Sequence, residues 1–91
     1  MRFEWDEGKA AANLRKHGVD FEDALQIFAG FVRVLPDRRH DYGEDRFIAL
    51  GELRGRIVKV VFTRRGGAYR IISAWKANKR DQATYRQNDP G

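Results

Sequence analysis

The run RIVKVVFT, at 56–63, constrains this chain more than any other stretch. Successive side chains of a strand point to opposite faces, so Val58, Val60 and Phe62 fall on one side while Ile57, Val61 and Thr63 fall on the other. A strand that is apolar on both faces belongs in the middle of a sheet. Its neighbours are legible by the same rule. RFIALGEL, at 46–53, precedes it across an Arg54-Gly55 turn signal, and YRIISAWK, at 69–76, follows Arg64-Arg65-Gly66-Gly67. FVRVL, at 31–35, is rich in β-branched and aromatic residues and is stopped by Pro36-Asp37. The charged stretch PDRRHDYGED between the first two of these strands reads as a long surface loop. The pattern predicts a mostly antiparallel meander.

Helices flank it. A short alternating run around Phe3 and Trp5 reads as an edge strand, after which Asp6 is placed to cap a helix over EGKAAANLRKH. Gly18 suits the left-handed position that ends it. Lys16 and His17 lie in the last turn, where positive charge is favourable against the helix dipole. Asp20 opens a second helix over 21–28, with Phe21, Ala24, Leu25 and Phe28 at i, i+3, i+4 and i+7 as its core face. Joined by so few residues, the two helices are expected to pack as a hairpin on one face of the sheet. A third helix begins at Asn78, with Asp81 at capping-box spacing, and the tail NDPG is expected to fray. The fold class is therefore α+β, in one domain spanning 1–91.

Composition narrows the function classes. With 42% apolar and 34% charged residues, the chain is globular rather than disordered. There is no cysteine, which excludes disulfides and thiolate metal sites, and no apolar run approaches the roughly 20 residues that span a bilayer. A cytoplasmic protein without a membrane role is expected. The charge is uneven. Residues 1–45 carry 7 Lys/Arg against 10 Asp/Glu, a balance of −3, whereas 46–91 carry 11 against 3, a balance of +8. A basic half interleaved with Phe47, Phe62, Tyr69, Trp75 and Tyr85 suits a phosphate-rich partner whose bases stack on aromatic rings.

The residues available are compatible with chemistry that needs neither a metal nor a nucleophile from the protein. His17, His40 and Asp41 lack any metal-ligand spacing, and Ser73 sits within a strand without a nucleophile motif. RNA cleavage by attack of the ribose 2′-hydroxyl needs neither metal nor cofactor, because the substrate carries its own nucleophile. Such a site must bind phosphoryl oxygens and move a proton in and out. Arg46, Arg64 and Arg70 lie at strand ends, and Arg64 and Arg70 flank one turn, where they are expected to converge on a phosphate. For proton transfer, His17 and His40 have suitable ordinary pKa values, and Lys16, Lys59 and Lys76 would need theirs lowered.

Two blocks carry a resemblance. FEWDEGKAAANLRKHGVDFEDALQIF near the N-terminus, and YRIISAWKA followed by a basic helix ending in tyrosine, are similar to the opening and closing signatures of the BrnT toxin family. The resemblance implies a RelE-like fold and an endoribonuclease toxin that arrests translation and growth without metal or cofactor. It also implies a ribbon-helix-helix antitoxin, BrnA-like, holding the toxin inactive in a heterotetramer that binds operator DNA through the antitoxin. On this reading Arg64, Arg70, Trp75, His17 and Lys16 are catalytic candidates, and Arg46, Arg65, Lys76, Arg80 and Tyr85 contact RNA. One residue departs from the family pattern: it reads ISAR where this chain reads ISAW, so Trp75 stands in an arginine's place, and either the toxin is attenuated or Trp75 stacks on a base while another arginine binds the phosphate. The same residues admit a non-catalytic reading, a basic module whose main role is to bind a protein partner or RNA.

Overall fold

The computed structural model describes residues 2–87, and the tail expected to fray, at 88–91, lies outside them. In chain order the elements are β1 (Arg2–Glu4), α1 (Glu7–His17), α2 (Phe21–Ala24), a 3-10 helix (Leu25–Ala29), β2 (Val32–Pro36), β3 (Phe47–Leu53), β4 (Arg56–Arg65), β5 (Ala68–Lys76) and α3 (Lys79–Gln87). The five strands form one sheet in the order β1-β5-β4-β3-β2. β2 to β5 make the expected antiparallel meander with β4 at its centre, and β1 joins the far edge parallel to β5.

β4 buries both faces, as its sequence requires. On one side Val58, Val60 and Phe62 pack with Ala49, Ile71 and Ala74 beneath Phe21, Ala24 and Ile27. On the other, Ile57 packs with Leu50, Ala77 and Tyr85 under α3. We call these the helical face and the open face, because α3 and its small cluster cover the second only in part. Gly51 brings the helical layer close: a Cβ there would lie 2.6 Å from the Cβ of Ile27, so the 3-10 helix sits almost on the β3 backbone.

The caps form as their sequences predict. Asp6 accepts from the Lys9 N–H, and Gly18 adopts φ 70° with its N–H on the Leu14 carbonyl. Asn78 and Asp81 each accept the other's backbone N–H, closing the box that starts α3. Two expectations need correction. The helix over 21–28 is a four-residue α2 that tightens into the 3-10 helix, with Ile27 against Gly51 and Phe28 against the rings of Phe3, Phe62 and Tyr69. The hairpin of helices on one face is realised only in part, because α1 lies along the edge of β5 that β1 leaves uncovered. β1 pairs with residues 68–70 alone. Beyond it, the Asn13 side chain takes the place of a strand, donating to the Ala74 carbonyl at 2.7 Å and accepting from the Ala74 N–H at 3.2 Å.

Candidate active site on the open sheet face

A bulge decides which side chains reach the open face. β5 pairs Phe62 with Ile71 but Val61 with Ser73, so Ile72 is an extra residue and the alternation changes phase there. Before the bulge, Tyr69 and Ile71 face the helical layer; after it, Ala74 and Lys76 do. Ser73 and Trp75 therefore turn to the open face, Trp75 directly across from Lys59 on β4.

Three other elements bring groups to the Trp75 ring. His17, at the end of α1, reaches round the sheet edge, its ring 5.7 Å from that of Trp75. The Lys59 ammonium lies 5.4 Å from the ring centroid and is held by Asp81 of α3 at 3.2 Å. Arg39, from the loop between β2 and β3, places its guanidinium 5.6 Å from the same centroid. Its partner is Asp37, whose side chain is fully buried and which binds Arg39 Nε and Nη2 at 2.8 and 2.9 Å. The Arg39 guanidinium, and lesser bonds from the Arg39 N–H and the Tyr42 hydroxyl, hold the Asp37 carboxyl down at about 2 against the opposition of burial. An imidazole and two cations thus meet at one partly exposed indole. That set can bind phosphoryl oxygens and exchange a proton.

A family model described as "Ribonuclease toxin, BrnT, of type II toxin-antitoxin system" matches residues 5–81. The chain belongs to the BrnT family. The BrnT match spans the side chains gathered at Trp75, from His17 to Asp81, and it makes the protein a member of a family of ribonuclease toxins that act in toxin–antitoxin pairs. An antitoxin partner and an RNA substrate are implied at family level. No curated protein matches the chain.

The candidate residues expected from the sequence are spread more widely than their spacing suggests. Arg64 and Arg70 do not converge. Arg64 pairs with Tyr69 and Arg70 with Thr63, so alternation sends them to opposite faces. Arg64 lies at the rim of the helical layer, 5.4 and 5.6 Å from the rings of Phe47 and Tyr69. Arg70 shares the open face with Trp75 but bonds Glu4 of β1 at 3.1 Å. Tyr85 is 6% exposed and donates to the Phe31 carbonyl, so it serves the small core under α3 and presents no ring for stacking. Arg46 and Arg65 both engage Glu44, whose carboxyl they hold below its ordinary range. Lys16 and Arg80 are exposed. Lys76 and His17 border a hollow of about 310 Å³ on the helical side, together with Arg54 and Arg56.

Arg39, Asp37 and Asp81 escaped the sequence reading of the site. Asp81 was visible as a capping residue, and its second task, holding Lys59, had no local signal. Among the described residues, no three His, Cys, Asp or Glu side chains gather as a ligand set.

Proposed function

We propose that this chain is an endoribonuclease toxin that works on the open sheet face without a metal ion, arresting translation and growth, in a variation on the RelE-like fold. The observation that carries the reading is the meeting of His17, Lys59 and Arg39 at Trp75. In the reaction, the ribose 2′-oxygen bonds to the adjacent phosphorus as the bond from phosphorus to the 5′-oxygen breaks. The 2′-hydroxyl proton passes to a base and the departing 5′-oxygen gains one, leaving a 2′,3′-cyclic phosphate and a 5′-hydroxyl. His17 is the group beside Trp75 whose imidazole can both accept and donate a proton. Lys59 stabilises charge on the phosphoryl oxygens, and Arg70 and Lys16 extend the cationic track along the edge of β5. Family membership supports the remainder of the reading: a ribbon-helix-helix antitoxin neutralises the toxin in the cytoplasm, and the two form a heterotetramer that binds operator DNA through the antitoxin.

Trp75 attenuates this activity. An arginine at 75 would add a charge-assisted, two-point contact to phosphate that an indole cannot make. The test is cleavage of purified RNA in EDTA by this chain and by Trp75→Arg. Both are expected to cut, leaving cyclic phosphate ends, with Trp75→Arg faster by on the order of tenfold or more. If neither cuts free or ribosome-bound RNA, the ribonuclease reading fails.

A further inference from the structure

The loop between β2 and β3 is more ordered than a solvated charged loop needs to be. Its two ends are tied by the Asp37 N–H on the Arg46 carbonyl at 2.8 Å, and the Thr63 hydroxyl donates to the Asp45 carbonyl at 2.6 Å. Inside, the Arg46 guanidinium lies 3.9 Å from the centroid of the Tyr42 ring, and the Tyr42 hydroxyl reaches Asp37 at 3.4 Å. All of this converges on one buried carboxylate, whose principal partner is Arg39.

A buried carboxylate paired with a half-exposed guanidinium adds only a modest increment to folding, because desolvation offsets part of the attraction. What the arrangement does achieve is position. Asp37 occupies the Nε and Nη2 edge of the fork, which leaves Nη1 turned away from the carboxylate. The Trp75 ring limits where the guanidinium plane can lie. The Arg39 side chain nevertheless remains 48% exposed, so a ligand can reach it.

We propose that Arg39 is a phosphate-binding residue of this site, aimed by Asp37 and Trp75 at a phosphodiester of an RNA strand crossing the open face. The inference rests on the ribonuclease reading for its ligand class and on the loop geometry for its residue. RNA is favoured over an acidic protein segment because Lys59 and an imidazole share the same ring, so the charge gathers at a point beside a proton-transfer group. A planar fork held rigid before binding loses little entropy when it takes two phosphoryl oxygens.

The probe is a single-stranded oligoribonucleotide with 2′-O-methyl sugars, which lacks the nucleophile and is bound without being cut. Its affinity is measured by fluorescence anisotropy across a salt series, with melting midpoints taken alongside. Arg39→Ala is expected to weaken binding about tenfold and to lower the salt slope by about one. Arg39→Lys should keep the slope and recover only part of the affinity, because an ammonium lacks the fork. Asp37→Asn keeps the Arg39 charge but loosens its aim, so affinity falls while the slope stays. A purely structural role for Asp37 would move the melting midpoint and leave the affinity of the folded protein unchanged. If Arg39→Ala matches the parent in affinity and slope, the assignment is overturned. If it matches the parent on RNA but loses an acidic antitoxin segment, it is overturned in favour of a protein contact. Binding by the parent, with no cleavage of the unmodified strand by either the parent or Trp75→Arg, would sink the ribonuclease reading and leave the arginine assignment to the slope. Cleavage by a parent whose RNA binding Arg39→Ala leaves unchanged would do the reverse.

Discussion

Asp37 shows how much one side chain in a charged loop can carry. Read in sequence, it is half of a Pro-Asp stop after a strand, one of four aspartates and glutamates within ten residues. Nothing local says which of them is buried, because that depends on Thr63 and Arg46 closing the loop from outside. Its pH dependence is a direct check. In the unfolded chain the carboxyl returns to its ordinary 3.8, and in the folded protein Arg39 holds it at about 2. A depressed carboxylate contributes stability that is fully present above the unfolded value and is lost as pH falls through the folded one. With Arg39 half exposed, the contribution is on the order of 1–2 kcal/mol. Urea midpoints measured at descending pH should therefore fall more steeply for the parent than for Asp37→Asn between about pH 4 and pH 2. Parallel curves would mean that the pair does not form in solution.

Strands and caps were legible because their causes are local: alternation, β-branched residues, Gly18 at a left-handed position, Asn78 three residues before Asp81. Two features of the elements were not. The bulge at Ile72 leaves no mark in YRIISAWK, where simple alternation from Tyr69 and Ile71 would send Ser73 and Trp75 into the helical layer. The phase changes because Ala74, with no exposed surface, fits beneath α1 and α2 and Trp75 does not. The role of Asn13 was equally hidden. In a helix of alanines it reads as a neutral surface residue, yet it is buried and stands in for a strand against Ala74. Asn13→Ala strands the Ala74 N–H and carbonyl and frees the Val19 carbonyl, a loss of roughly 2–4 kcal/mol. Urea denaturation should show it, and an unchanged midpoint would mean that water replaces the amide. The same variant loosens the end of α1 that brings His17 to Trp75, so cleavage should fall further than stability alone explains.

Taken whole, the molecule folds its acidic half against its basic half. Glu4 meets Arg70, Asp23 meets Arg54, and Glu44 meets Arg65, each pair joining residues on opposite sides of position 46. These are surface pairs worth at most about 1 kcal/mol each, whereas phosphate binding releases counterions and depends steeply on salt. Raising the salt concentration should accordingly move the melting midpoint little while it weakens RNA binding several-fold or more; a midpoint that tracks the binding loss would place the pairs in a structural role. The charge imbalance visible in the sequence is real, but the sequence alone could not show how much of it the fold cancels. The pairing of β1 with β5 joins residues 66 positions apart, Arg2 with Ala68 and Glu4 with Arg70 among them, and Asn13 is clipped to Ala74 across a similar span. During synthesis none of these contacts can form until β5 has been made, and His17 has no indole to meet before residue 75 is added. The proposed site is thus among the last things the growing chain assembles, and a polypeptide interrupted before β5 lacks the Trp75 face on which His17, Lys59 and Arg39 meet.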